Sequence, residues 1–131
     1  MHYFCSMRHN IVIALGSNHH PQPHIRHARE GLTHLLDTVE FSRNMWTEAI
    51  GITSPRFLNC LAIGTTQLSV KELQASLKSL ERQCGDSRAE RQAGRVRLDV
   101  DLLRYDGDDY HPADWNRAYI ITLYNEMTLT P

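Results

Sequence analysis

The order of apolar runs predicts an α+β fold: strand, helix, strand, strand, helix, strand. Two observations carry this. Short, nearly continuous apolar runs, as over 10–15 and 57–64, have the length and composition of buried strands. Between and after them, apolar residues recur every three or four positions, as amphipathic helices require. Split βαβ units in this order build a four-stranded antiparallel sheet with two helices on one face, the ferredoxin-like βαββαβ plan. The 131 residues fit a single domain spanning 1–131 and can bury a real core.

In order, residues 10–15 form the first strand, ending in the turn-forming trio Gly16, Ser17 and Asn18. Ile25, Ala28, Leu32, Leu35, Leu36 and Val39 line one face of the first helix. The stretch 39–50 has β-favouring residues, including Phe41, Met45 and Trp46, and 51–55 is a loop. Residues 57–64 form the next strand, interrupted by Asn59, a polar group that either satisfies a neighbouring backbone or reads a polar heterocycle. Ser69 and Glu72 make a capping box for a second helix, whose stripe runs Val70, Leu73, Leu77, Leu80, Cys84. Gly85 stops it. Glu81 sits in its last turn, where the helix dipole disfavours an anion, so it calls for a partner such as an arginine or a metal's water shell. Residues 86–94 read as a flexible polar loop, 106–109 as a turn, and 118–124 as a last apolar run.

The chemistry concentrates in the strand beginning at Arg97. Asp99 and Asp101 are two residues apart, so in a strand both project to one face while Leu98, Val100 and Leu102 face the other. Two adjacent carboxylates on a buried element repel and are costly to desolvate, and a divalent cation relieves both problems. On an exposed strand the same pattern is a solvated polar face. Arg88, Arg91, Arg95 and Arg97 lie just upstream, and carboxylates for magnesium beside arginines for phosphate are the chemistry of phosphoryl transfer.

The formal charge of −1 argues against a general nucleic-acid or membrane-surface binder. Cys5, Cys60 and Cys84 are odd in number and widely spaced, which suits reduced thiols in a cytoplasmic protein. No run has membrane-spanning length, and the first ten residues lack the apolar core of a signal peptide. His19, His20, His24, His27 and His34 make a histidine-rich segment that reads as solvated loop and helix-face residues rather than as a transition-metal site.

Taken together, the chain resembles the 6-hydroxymethyl-7,8-dihydropterin pyrophosphokinases of folate biosynthesis. The resemblance runs from Leu15-Gly16-Ser17-Asn18 through Thr47–Gly51 and Phe57-Leu58-Asn59 to Glu81 and Gly85. It continues with Leu98-Asp99-Val100-Asp101-Leu102-Leu103, His111 and Asn116-Arg117-Ala118-Tyr119. It implies transfer of pyrophosphate from ATP to the hydroxymethyl group of the pterin, with release of AMP. It further implies that Asp99 and Asp101 hold two magnesium ions along the triphosphate. Phe57 and Tyr119 would sandwich the pterin ring, and Asn59, Thr47 and the backbone near Ile50 would bind its edge. Arg88, His111 and Arg117 would contact ATP, and Arg88 and Arg95 are the loop arginines assigned to catalysis. The implied partners are the pterin and ATP, with no nucleic acid or membrane, and the implied assembly is a monomer or homodimer.

The loop before the Asp pair departs from the family pattern. A tryptophan-glycine-proline-arginine run is usual there, and this chain has Ala93, Gly94, Arg95 and Val96. An arginine position early in the loop holds Asp86, and proline-rich substrate-loop positions hold Glu48 and Ala49. Two alternatives therefore stand beside an active enzyme. One is a homologue that binds a pterin or nucleotide without efficient transfer. The other is a ferredoxin-like nucleic-acid-binding domain, which the charge balance and the Asp pair disfavour. A phosphoryl-transfer site requires Asp99 and Asp101 to share a cleft with Asn59.

Overall fold

The structure, a computed structural model, describes residues 7–49 and 55–129. Its elements are β1 (His9–Ser17), α1 (Pro21–Leu35), β2 (Thr38–Phe41), β3 (Met45–Thr47), β4 (Phe57–Thr66), α2 (Val70–Gln83), α3 (Arg88–Gln92), β5 (Asp99–Tyr105) and β6 (Asp108–Asp109). A 3₁₀ turn (Pro112–Asn116) and α4 (Ala118–Thr128) close the described chain.

The protein is α+β, with one antiparallel sheet in the order β2-β4-β1-β5-β6 and β3 also paired to β4. The sheet thus has six strands rather than the expected four. Both additions are short. The strand beside β4 is broken into β2 and β3 at Ser42, whose hydroxyl accepts the Leu61 N–H at 2.8 Å. The expected turn at 106–109 is confined to Asp106 and Gly107, after which Asp108 and Asp109 return against Tyr105 and Arg104 as β6.

Alternation along β1 divides the core. Ile11, Ile13 and Leu15 face α1 and α2 through Ile25, Ala28, Leu32, Leu73 and Leu77, so the two long helices share one face as the sequence implies. Val12 and Ala14 face the other way, where Leu61, Leu103 and the α4 residues Ile120 and Leu123 form a second cluster. The last apolar run is therefore a helix covering the opposite face, which the expected plan of two helices lacks.

Local signals account for both ends of α2 and the start of α3. Ser69 and Glu72 exchange both bonds of the capping box at the start of α2. Gly85 adopts φ 87°, the left-handed region in which a glycine carries no steric penalty, and ends that helix. The polar loop that follows is not wholly irregular: Ser87 caps the five-residue α3 by accepting the Glu90 N–H at 3.1 Å.

Candidate active site

Sheet register assembles the site. Gly16 of β1 pairs with Asn59 of β4 on one side and with Asp99 of β5 on the other. Ala14, two residues earlier and on the same face, pairs with Asp101. Antiparallel partners lie ~5 Å apart, so Asn59 and Asp99 stand roughly 10 Å apart across a floor with almost no side chain. That floor belongs to a cleft of about 510 Å³ on the α4 side of the sheet. Asn59, Asp99 and Asp101 share it.

One wall comes from β3, the two residues after it and β4, with Thr47, Glu48, Ala49, Phe57 and Asn59. The Asn59 amide nitrogen donates to Thr47 Oγ1 at 2.7 Å and to the Met45 carbonyl at 3.4 Å. Its donors are thereby occupied, and Oδ1 remains as an acceptor above Gly16. A Cβ on Gly16 would stand 3.0 Å from that oxygen, so the glycine is what leaves it room.

The opposite wall is acidic. Asp99, Asp101 and the buried Glu81 bring one carboxylate oxygen each within 4.8 Å of one another. Glu81 reaches them from α2, with Oε2 accepting the Val100 N–H at 2.8 Å and Oε1 accepting from Lys78 at 3.2 Å. Burial, followed by the charge and hydrogen bond of Asp99, pushes the Asp101 carboxyl up to about 8. Burial also raises Glu81, against the Val100 hydrogen bond that lowers it. Three crowded oxygen donors, two of them resisting ionisation, suit a hard divalent cation, which would remove the mutual repulsion. Among the described residues no other trio of metal-ligating side chains converges in this way, and the histidine-rich segment forms none. There His24 Nδ1 bonds the His19 carbonyl oxygen and His27 Nε2 bonds Gln83.

The roof comes from the 3₁₀ turn and the start of α4, which bring Asp114, Arg117 and Tyr119 over the cleft. This segment is pinned to β5. Trp115 donates to the Leu103 carbonyl at 3.1 Å, and the Arg104 guanidinium lies 4.2 Å above the Trp115 ring while pairing with Asp109. Arg117 lies 3.3 Å from Asp114. Burial raises the Tyr119 hydroxyl, against the Arg117 charge and hydrogen bond.

The remaining edge is the loop before β5. Its end is held by Asn18, which donates to the Gly94 carbonyl at 2.9 Å and accepts the Val96 N–H at 2.7 Å. The polar trio at the end of β1 thus partly serves to fix this loop. Val96 and Arg91 line the cleft. Arg88 opens α3 on the surface, and Arg95 makes a two-point contact with Glu90 at 2.9 and 3.0 Å. Neither lines the cleft, nor does His111, the exposed residue that enters the 3₁₀ turn with φ 50°. Ile50 lies outside the described residues. Sequence reading singled out neither Arg91 nor Asp114 for the site. Four arginines within ten residues carry no signal that separates the one facing the cleft.

Residues 12–128 match the family described as 7,8-dihydro-6-hydroxymethylpterin-pyrophosphokinase. The chain is also 32% identical, over 129 residues, to a "folate synthesis bifunctional protein, mitochondrial" of Arabidopsis thaliana. That similarity covers 88% of this chain and 23% of the relative, so the chain spans about a quarter of the protein it resembles. The chain belongs to the 7,8-dihydro-6-hydroxymethylpterin-pyrophosphokinase family.

Proposed function

We propose that this family member transfers pyrophosphate from ATP to the hydroxymethyl group of 6-hydroxymethyl-7,8-dihydropterin, releasing AMP, as a step of folate biosynthesis. The observation that carries the reading is the register of Asn59, Gly16 and Asp99 across three adjacent strands. It sets Asn59 and the Asp99–Asp101 pair on two sides of one cleft, which supports reading the first as the group that binds the heterocycle and the second as the group that binds the cation.

Asn59 Oδ1 accepts from the donor edge of the pterin, and Thr47 holds the amide in that orientation. Phe57, in the β4 wall, and Tyr119, in the roof, stack on the flat ring. Asp99 and Asp101, with Glu81 behind them, hold magnesium, taken as two ions with ATP as co-substrate. Magnesium held there would supply charge neutralisation for the phosphates and help align the triphosphate with the attacking hydroxyl. Arg117 adds a cation on the phosphate side, while Arg88, Arg95 and His111 stand outside the cleft as it is built. The protein's share of catalysis is position and electrostatics rather than covalent chemistry.

The helix pair α1 and α2 on one face of β1, β4 and β5 supports a ferredoxin-like core within a single domain over 1–131. Among the described residues no helix is long and apolar enough to cross a membrane. The buried, unbridged Cys60 and Cys84 suit a reducing compartment such as the cytoplasm. The proposed partners are small molecules, with the protein acting as a monomer or homodimer.

One observation favours a second reading, a homologue that binds but transfers poorly. Val96 lines the cleft at the position where the resemblance leads one to expect an arginine. Binding tests what the two readings share. By calorimetry, wild-type protein should bind the pterin in the presence of a magnesium complex of a non-hydrolysable ATP analogue. Asp101→Asn should lose at least about tenfold in affinity for the nucleotide complex, since it removes one charged ligand. Protein that binds neither ligand would exclude both readings.

A further inference from the structure

The cleft's loop arginine is Arg91, and its present partners are carboxylates. Its Nε donates to Asp86 at 2.7 Å, and its Nη2 lies 3.2 Å from Asp99 Oδ1 and 3.8 Å from Glu81 Oε2. Nη2 also donates to the Leu98 carbonyl at 3.2 Å. Asp99 and Glu81 are two of the three groups whose oxygens converge for a cation. The guanidinium therefore already offsets part of the negative charge that a divalent ion would neutralise.

The two cations oppose each other. Like charges a few ångströms apart repel strongly at a partly buried site, so a divalent ion entering beside Asp99 weakens the Arg91 contact. The displaced guanidinium still faces the cleft, where the arriving triphosphate supplies acceptors of matching geometry. Arg95 and Arg97 are less free to respond, because both pair with Glu90 at 2.9 Å, and Arg88 is exposed and does not line the cleft. The carrier is suited to a small movement. α3 is only five residues long and lies between Gly85 and Gly94, both at positive φ.

We propose that Arg91 is a placeholder cation that exchanges Asp99 and Glu81 for phosphate oxygens when the magnesium-nucleotide complex enters, and so becomes the loop's phosphate-contacting arginine. The proposal rests on reading the cleft as a phosphoryl-transfer site. It has a signature that a merely structural arginine lacks, since removing a competing cation tightens magnesium binding while removing a phosphate contact weakens nucleotide binding.

The experiment is calorimetry of wild type, Arg91→Gln and Arg91→Lys with Mg2+ alone and with the magnesium complex of a non-hydrolysable ATP analogue. Arg91→Gln should bind Mg2+ alone about fivefold more tightly and the nucleotide complex about tenfold more weakly. Arg91→Lys keeps the charge but not the planar fork, so Mg2+ alone should bind as in wild type and the nucleotide complex less well. If Arg91→Gln does not fold, Arg91→Met, which also removes the charge, decides by the same comparison. Variants in which both affinities fall together, or neither moves, overturn the assignment while leaving the site reading intact. Wild-type protein that binds neither Mg2+ nor the nucleotide complex overturns both.

Discussion

Gly16 shows how much of the site depends on a missing side chain. It separates Asn59 from Asp99 in register, and Asn59 Oδ1 occupies the space a methyl group would contest at 3.0 Å. Gly16→Ala should crowd that oxygen and lower pterin affinity roughly thirtyfold, because a tight contact and a misdirected acceptor each cost about 1 kcal/mol or more. Pterin titration of a variant whose urea midpoint is unchanged would isolate the effect. Unchanged affinity would remove Asn59 Oδ1 from the recognition. At this scale the sequence was partly legible. Asp99 and Asp101 announce a shared face through their spacing, and Asn59 stands out as a polar break in an apolar strand. Arg91 does not stand out among its neighbours. What separates it is that it lines the cleft while Glu90 holds Arg95 and Arg97, a placement set by the folding of the loop.

The elements that were legible are those with strong local signals: the β1 and β4 runs, the α1 stripe and the capping box of α2. α4 was not, because a run such as Ala118, Ile120, Ile121, Leu123 and Tyr124 is apolar without clear periodicity, and its β-branched residues favour a strand. Tertiary packing decides it: Ile120 and Leu123 fill the face of the sheet left open by Val12, Ala14 and Leu61. Leu123 is fully buried there, so Leu123→Ala should destabilise the protein by about 2–5 kcal/mol, measurable as a lowered urea midpoint. A change under ~0.5 kcal/mol would mean that α4 is not part of the core. The break of the edge into β2 and β3 was equally hidden, since Ser42 acts through its bond to Leu61, nineteen residues away.

Across the whole molecule, the division of labour follows from sheet alternation. One face carries α1 and α2 and supplies most of the core; the other carries α4 and the cleft. Asp99 and Asp101 fall on the cleft face because Val100 and Leu102 are required on the other. What could not be read from the sequence is the effect of the altered loop on the rate, because charge stabilisation in phosphoryl transfer depends on side-chain placement to within an ångström. The central claim is that the two ends of this cleft act together on one reaction. Its most direct measurement is AMP release from ATP and magnesium, with and without 6-hydroxymethyl-7,8-dihydropterin, for wild type beside Asp101→Ala. AMP is expected only when the pterin is present, and its formation should fall by several orders of magnitude in the variant. AMP formed without the pterin, formed equally by Asp101→Ala, or absent altogether would contradict it.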